Sequence, residues 1–153
     1  MALTKQQLEY QRQWRKNNPA EYRKQQIRTK QNRSRRMAED IDFFIEQYYK
    51  SLRVNAERRN ISFNLSKRQL SKVIKTSTHC VISGRQLTRT TNCPNRVSID
   101  RIDNRFGYSI NNIQAVCVTV NIHRLDLSLD DFFQLALDIV RHQKKINAKR
   151  KSR

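Results

Sequence analysis

The stretch VSIDRIDNRFGYSINNIQAVCVTVNIH, residues 97–123, decides how the chain is read. Val97-Ser98-Ile99 and Ile113-Gln114-Ala115-Val116 are short β-type runs, and Phe106-Gly107-Tyr108 between them is a turn signal. Residues 118–126 suit a short helix, so the pattern is a hairpin running directly into a helix. Just upstream, Cys80-Val81-Ile82 followed by Ser83-Gly84 predicts a further strand and turn.

Helical periodicity dominates outward from this stretch. Ile41, Phe44, Ile45, Tyr48 and Leu52 recur at three- and four-residue steps, which predicts a helix over 39–59 with one buried face. Ser66 caps a predicted helix over 67–75 that buries Leu70, Val73 and Ile74. Residues 4–17 read as a helix with Thr4 at its cap. Asn18 before Pro19 reads as an N-cap and first position of a second helix, running from 20 to about 36. That helix is thin in apolar residues, which predicts an exposed segment or one unfolded without a ligand. Ser128-Leu-Asp-Asp131 is a capping-box variant opening a helix to His142, predicted to bury Phe132, Leu135, Ala136, Ile139 and Val140. The expected class is α+β, with a mainly helical N-terminal half, a hairpin-helix module and a C-terminal helix.

Chemistry concentrates at three positions. Asp100 ends the first strand, Asn112 starts the return strand, and Asn121 lies on the helix, 21 residues after Asp100. A hairpin packed on a helix can bring such positions around one cation. Carboxylate and amide oxygens are hard ligands suited to Mg²⁺ or Mn²⁺.

The combination of Cys80-Val81-Ile82-Ser83-Gly84, Ser98 to Asn104, Gly107-Tyr108, Asn111 to Gln114 and Asn121 resembles the HNH branch of the ββα-metal (His-Me finger) nucleases, in its phage and mobile-element form. The resemblance covers about residues 79–142. It implies that Asp100 and Asn121 ligate one divalent metal and that Asn112 pins the loop between the strands. It also marks a departure: Arg101 stands where most members place the His that activates water. An Arg stays protonated at accessible pH, so it suits a phosphate contact or charge stabilisation rather than a general base. His123 is the first candidate to activate water in its stead and Asp103 the second, with metal-bound hydroxide as another route. The ordinary alternatives are a structural Asp100 bonded to loop amides, an Asn121 on capping duty, an Arg101 paired with Asp100 or Asp103, and an exposed helical His123.

The net charge of +19 comes from 32 Lys+Arg against 13 Asp+Glu, and it sits on the ends. Residues 1–38 carry net +9, residues 144–153 carry net +6, and the middle carries net +4. Basic ends of this kind suit a polyanion, because each Lys or Arg on a phosphate releases condensed counterions. The expected partner is duplex DNA, contacted by Arg12, Arg15, Lys16, Arg23, Lys24, Arg28, Arg33, Arg35 and Arg36 on the arm and by Arg105 near the hairpin. Tyr10, Trp14 and Tyr22 interleave with these charges and suit base stacking or docking on the domain.

The domain reading is a basic helical DNA-binding arm (1–38), a helical support (39–76), an HNH-like ββα nuclease module (77–143) and a basic tail (144–153). The expected activity is metal-dependent hydrolysis of DNA phosphodiesters by an endonuclease of phage or homing type. The alternative is a catalytically inactive DNA binder on the same scaffold. No run of 18 apolar residues exists, which excludes a helical membrane span, and the N-terminus lacks an apolar signal core. Cys80, Cys93 and Cys117 do not form a disulfide framework, and a structural zinc on them is disfavoured for want of a Cys-x-x-Cys pair. An intracellular location follows, the cytoplasm of a bacterial host for a phage-encoded chain; oligomeric state is left open.

Overall fold

A computed structural model describes residues 4–151. The protein is α+β, with six helices and one two-stranded antiparallel sheet among these residues. In chain order they are α1 (Lys5–Asn17), α2 (Pro19–Glu39), α3 (Ile41–Arg58), α4 (Lys67–Thr76), β1 (Val97–Arg101), a 3₁₀ turn (Ile110–Asn112), β2 (Ile113–Cys117), α5 (Val118–Arg124) and α6 (Leu129–Lys151). Among the described residues no helix is long and apolar enough to cross a membrane.

The helix starts follow local chemistry. Thr4 and Ser66 each form a reciprocal capping box, with Gln7 and Gln69 respectively, satisfying two otherwise orphaned backbone donors. Asp40 caps α3 by accepting from the Phe43 N–H at 2.8 Å. Asn18 departs from expectation: its side chain makes no hydrogen bond into α2 and instead donates to the Trp14 carbonyl at 2.9 Å, closing α1.

The core forms where α3 and α4 lie against the sheet. Phe44, Ile45, Leu52 and Ala56 from α3 and Leu70 and Ile74 from α4 meet Val97, Ile99, Ile113 and Ala115 from the strands. Tyr48 and Val73, expected to be buried, sit partly exposed at its edge. The Tyr48 hydroxyl accepts from the Ile99 N–H at 2.8 Å, which satisfies a strand donor on the side away from β2. The sheet register pairs Val97 with Cys117, Ser98 with Val116, Ile99 with Ala115, Asp100 with Gln114 and Arg101 with Ile113. Because side chains alternate across a strand, Val97 and Ile99 face the core while Ser98 and Asp100 face α5. All five residues of β1 are buried.

Two expectations fail. Cys80-Val81-Ile82 forms a turn, not a strand: the Cys80 N–H bonds the Arg85 carbonyl, the Val81 N–H bonds the Ala115 carbonyl, and the Val81 side chain is 64% exposed. The last helix continues past His142 to Lys151, and of the five side chains expected to be buried only Phe132 is half-buried; Leu135, Ala136, Ile139 and Val140 are exposed. Its cap is as read, with Ser128 Oγ accepting from the Asp131 N–H at 3.1 Å.

Candidate metal and nucleic-acid site

The loop joining β1 to β2 is held open by one amide. Asn112 accepts from the Asp103 N–H at 3.0 Å through Oδ1, and its Nδ2 donates to the carbonyls of Asp103 (3.0 Å) and Gly107 (2.9 Å). Gly107 is required by close approach, since a Cβ there would lie 2.2 Å from the Ser62 carbonyl oxygen. Tyr108 then exchanges backbone hydrogen bonds with Ser62 and Asn64, which fastens the loop to the segment after α3.

Arg101 belongs to this scaffold. It is 8% exposed, donates from one guanidinium nitrogen to the carbonyls of Asn104 (3.0 Å) and Phe106 (2.8 Å), and lies over the Tyr108 ring at 5.6 Å. The proposed salt bridge to Asp100 or Asp103 is absent from its hydrogen bonds; its cation is spent on loop carbonyls.

Asp100 is 4% exposed and both its oxygens accept hydrogen bonds, Oδ1 from Arg124 at 3.0 Å and Oδ2 from Gln114 at 3.0 Å. The register produces the second bond, since Gln114 is the cross-strand partner of Asp100. Arg124 is 1% exposed and also donates to the carbonyls of Leu127 and Arg101, so one buried guanidinium ties β1, α5 and the loop before α6 together. A buried charge of this kind is tolerable only when so paired. Arg124 was not singled out in the sequence, although its i+3 spacing from Asn121 places both on one side of α5.

Asn121 donates from Nδ2 to Ser98 Oγ at 2.7 Å, leaving Oδ1 as the amide atom free to accept or ligate. Asp100 and Asn121 line one open cleft of about 370 Å³ together with Arg59, Ile99, Arg101, Asn104, Tyr108, Ile122, Leu125 and Asp126. Each Asp100 oxygen has two lone pairs and spends one on its donor, so one remains on each for a cation. Among the described residues no three His, Cys, Asp or Glu side chains gather at one point. The donor set of the cleft is therefore mixed, a carboxylate and an amide oxygen with Asp126 nearby, and its hardness fits Mg²⁺ or Mn²⁺. Leu125, on the cleft wall, adopts φ 50°, a conformation disfavoured for a branched side chain.

The two side chains expected to activate water lie elsewhere. His123 is two residues from Asn121, about 200° around the helix, and lines a different cleft with Cys93, Pro94 and Arg96. Its ring Nδ1 bonds the Thr119 carbonyl at 2.7 Å. Asp103 is gripped by Arg105, with the closest contact 2.7 Å, and this side-chain pairing, together with the Arg105 N–H, holds its carboxyl at about 2. Arg105 is thereby partnered within the loop. Asp126 and Arg59 are the charged cleft residues that the sequence reading missed, and no local motif marks either.

Among the arm residues, Arg33 donates to Gln47 at 3.0 Å and Arg36 pairs with Asp40 at 3.3 Å, while Arg12 and Lys24 make one-turn pairs with Glu9 and Glu21. Arg15 lies 5.2 Å above the Tyr22 ring. Tyr10, Trp14 and Tyr22 line a groove between α1 and α2, with Tyr10 exposed and Trp14 and Tyr22 half-buried. Cys80 and Cys117 are buried on either side of Ser83, whereas Cys93 opens onto the His123 cleft. Comparison with protein-family models, with curated proteins and with solved structures returns no match.

Proposed function

We propose that the protein is an HNH-like endonuclease that hydrolyses phosphodiester bonds of duplex DNA with one Mg²⁺ or Mn²⁺. The observation that supports this reading is the convergence of Asp100 and Asn121, 21 residues apart, on one open cleft behind a hairpin that leads straight into a helix. Asp100 and Asn121 would hold the ion, which supplies Lewis-acid stabilisation of charge on the phosphate. Arg124 and Gln114 fix the Asp100 carboxylate, and Ser98 fixes the Asn121 amide. Arg59, exposed at the cleft, attracts the phosphate. Asp126 is the second carboxylate of the cleft and takes the role of proton acceptor from the attacking water, in place of His123 and Asp103. The basic arm supplies affinity through counterion release. Action on DNA inside a cell, in a bacterial host if the source is a phage, belongs to the same proposal.

The test is nicking of supercoiled plasmid in Mg²⁺ or Mn²⁺. Cleavage that is lost in Asp100→Ala and Asn121→Ala and reduced at least tenfold in Asp126→Asn supports the enzyme. A second reading, a DNA binder without catalysis, is favoured by the occupation of Arg101 on loop carbonyls and by the pairing of both Asp100 oxygens. Tight, salt-sensitive binding with no cleavage in any metal selects it.

A further inference from the structure

Helix α6 leaves the body after one anchoring side chain. Phe132 seats against the cluster of Cys80, Val116, Cys117 and Val120. Beyond it Phe133, Ala136, Leu137 and Val140 fall at i, i+3, i+4 and i+7, the spacing of a single buried stripe. Leu135 and Ile139 lie on another side of the helix, in line with Phe132. Yet Phe133, Leu135, Leu137, Ile139 and Val140 are each 45–55% exposed. Apolar side chains in such a row on one helix mark an interaction surface, unlike single exposed residues.

The charge on the same helix selects the occupant. Residues 129–140 hold three acidic groups, Asp130, Asp131 and Asp138, and no basic one; residues 141–150 hold five basic groups and no acidic one. We propose that α6 pairs with α6 of a second copy of this chain, antiparallel, through the Phe133-Ala136-Leu137-Val140 stripe. With the stripe centred between Ala136 and Leu137, antiparallel pairing brings Arg141 and Lys144 of one copy within about a turn of the partner subunit's Asp130, and the two-fold axis makes each contact twice. Parallel pairing sets Asp130 beside Asp130 and the basic ends side by side, which like-charge repulsion opposes. Small Ala136 at the centre allows the two helices to approach closely. The arrangement is independent of any metal or DNA chemistry in the cleft.

Sedimentation velocity on the full chain without DNA tests it. The expected result is a species of twice the 18.3 kDa chain mass at micromolar concentration. Val140→Glu is expected to raise the dimer dissociation constant at least a hundredfold while leaving the circular dichroism of the body unchanged, since the side chain is exposed in one copy. Asp130→Lys is expected to weaken pairing, and combining it with Arg141→Glu and Lys144→Glu to restore it. A monomer throughout the micromolar range, or a dimer indifferent to Val140→Glu, overturns the proposal. Failure of the charge exchange to restore pairing overturns the antiparallel arrangement.

Discussion

The body between Ile41 and Leu127 and the helices that flank it are built on different terms. In the body, α3 and α4 place Phe44, Leu52, Leu70 and Ile74 against the strands, and the Asp100 carboxylate that enters this interior is bonded at both oxygens. In α1 and α2 no residue is buried, although together they span more chain than α3. Helix in the first case is held by packing; in the second, α1 relies on its capping box and one-turn pairs, and α2, which lacks a side-chain N-cap, on one-turn pairs, propensity and the contacts of Arg33 and Met37 at its far end. The comparison teaches that charge and scaffold are separable here: the two ends hold most of the basic excess, and the body holds the cleft.

The largest expected effect lies in the core. Phe44→Ala, at a site with no exposure, is expected to cost about 3–5 kcal/mol in denaturant unfolding, whereas Ile27→Ala in α2 is expected to stay within about 0.5 kcal/mol. Equal losses would erase the distinction between the regions. Arg124→Ala is expected to cost about 3 kcal/mol, because it strands the Asp100 carboxylate in the interior. Adding Asp100→Asn to it should recover part of that loss, and a loss from Arg124→Ala no larger than that of a surface substitution would contradict the buried pairing.

Next comes the arm itself. Removing residues 1–30 takes away eight basic side chains and is expected to leave the unfolding midpoint of the body unchanged. The same deletion should weaken DNA binding and flatten its dependence on salt, read as the slope of log affinity against log salt concentration. An unchanged slope would move the anchor elsewhere. Caps give a finer version of the contrast. Ser66→Ala is expected to lower global stability by about 1 kcal/mol, since α4 is packed; Thr4→Ala is expected to fray α1 in hydrogen exchange while the global midpoint stays put.

The smallest effect concerns Asp103. Its pairing with Arg105 holds the carboxyl at about 2 in the folded chain, below the ordinary 3.8. A lowered folded value means the stabilisation is complete above about pH 4 and fades as pH falls through 2. Carboxyl carbon NMR should show that midpoint in the wild type and an upward move toward the ordinary value in Arg105→Gln. An unmoved midpoint would show that the Arg105 side chain is not its cause.

How far the sequence could be read depended on what each residue answers to. The period of Phe44, Ile45 and Leu52 was legible because a helix packed on one side repeats every three to four residues. The hairpin was legible because a turn signal separates two β-type runs, and the convergence on Asp100 and Asn121 followed from its topology. The turn at Cys80 was not, because Val81 and Ile82 have strand propensity but the Cys80 N–H bonds the Arg85 carbonyl and the Val81 N–H the Ala115 carbonyl. Propensity yields to such tertiary partners. The position of His123 was legible in principle, since two residues along a helix reverse the face. Arg124 was hidden because which charge enters an interior depends on its tertiary surroundings, and the exposed Asp126 because no local motif marks a cleft rim. Helix α6 shows the converse: its apolar residues are periodic, yet Leu135, Ala136, Ile139 and Val140 stay exposed, because the body covers only Phe132.

The central claim is that Asp100 and Asn121 share one divalent ion, and the most direct measurement is electron paramagnetic resonance of Mn²⁺ titrated into the full chain. The account predicts one saturable Mn²⁺ site in the wild type that is competed by Mg²⁺ and lost in Asn121→Ala, with the circular dichroism of that variant unchanged. Binding that persists undiminished in Asn121→Ala, or no saturable site in the wild type, would contradict it.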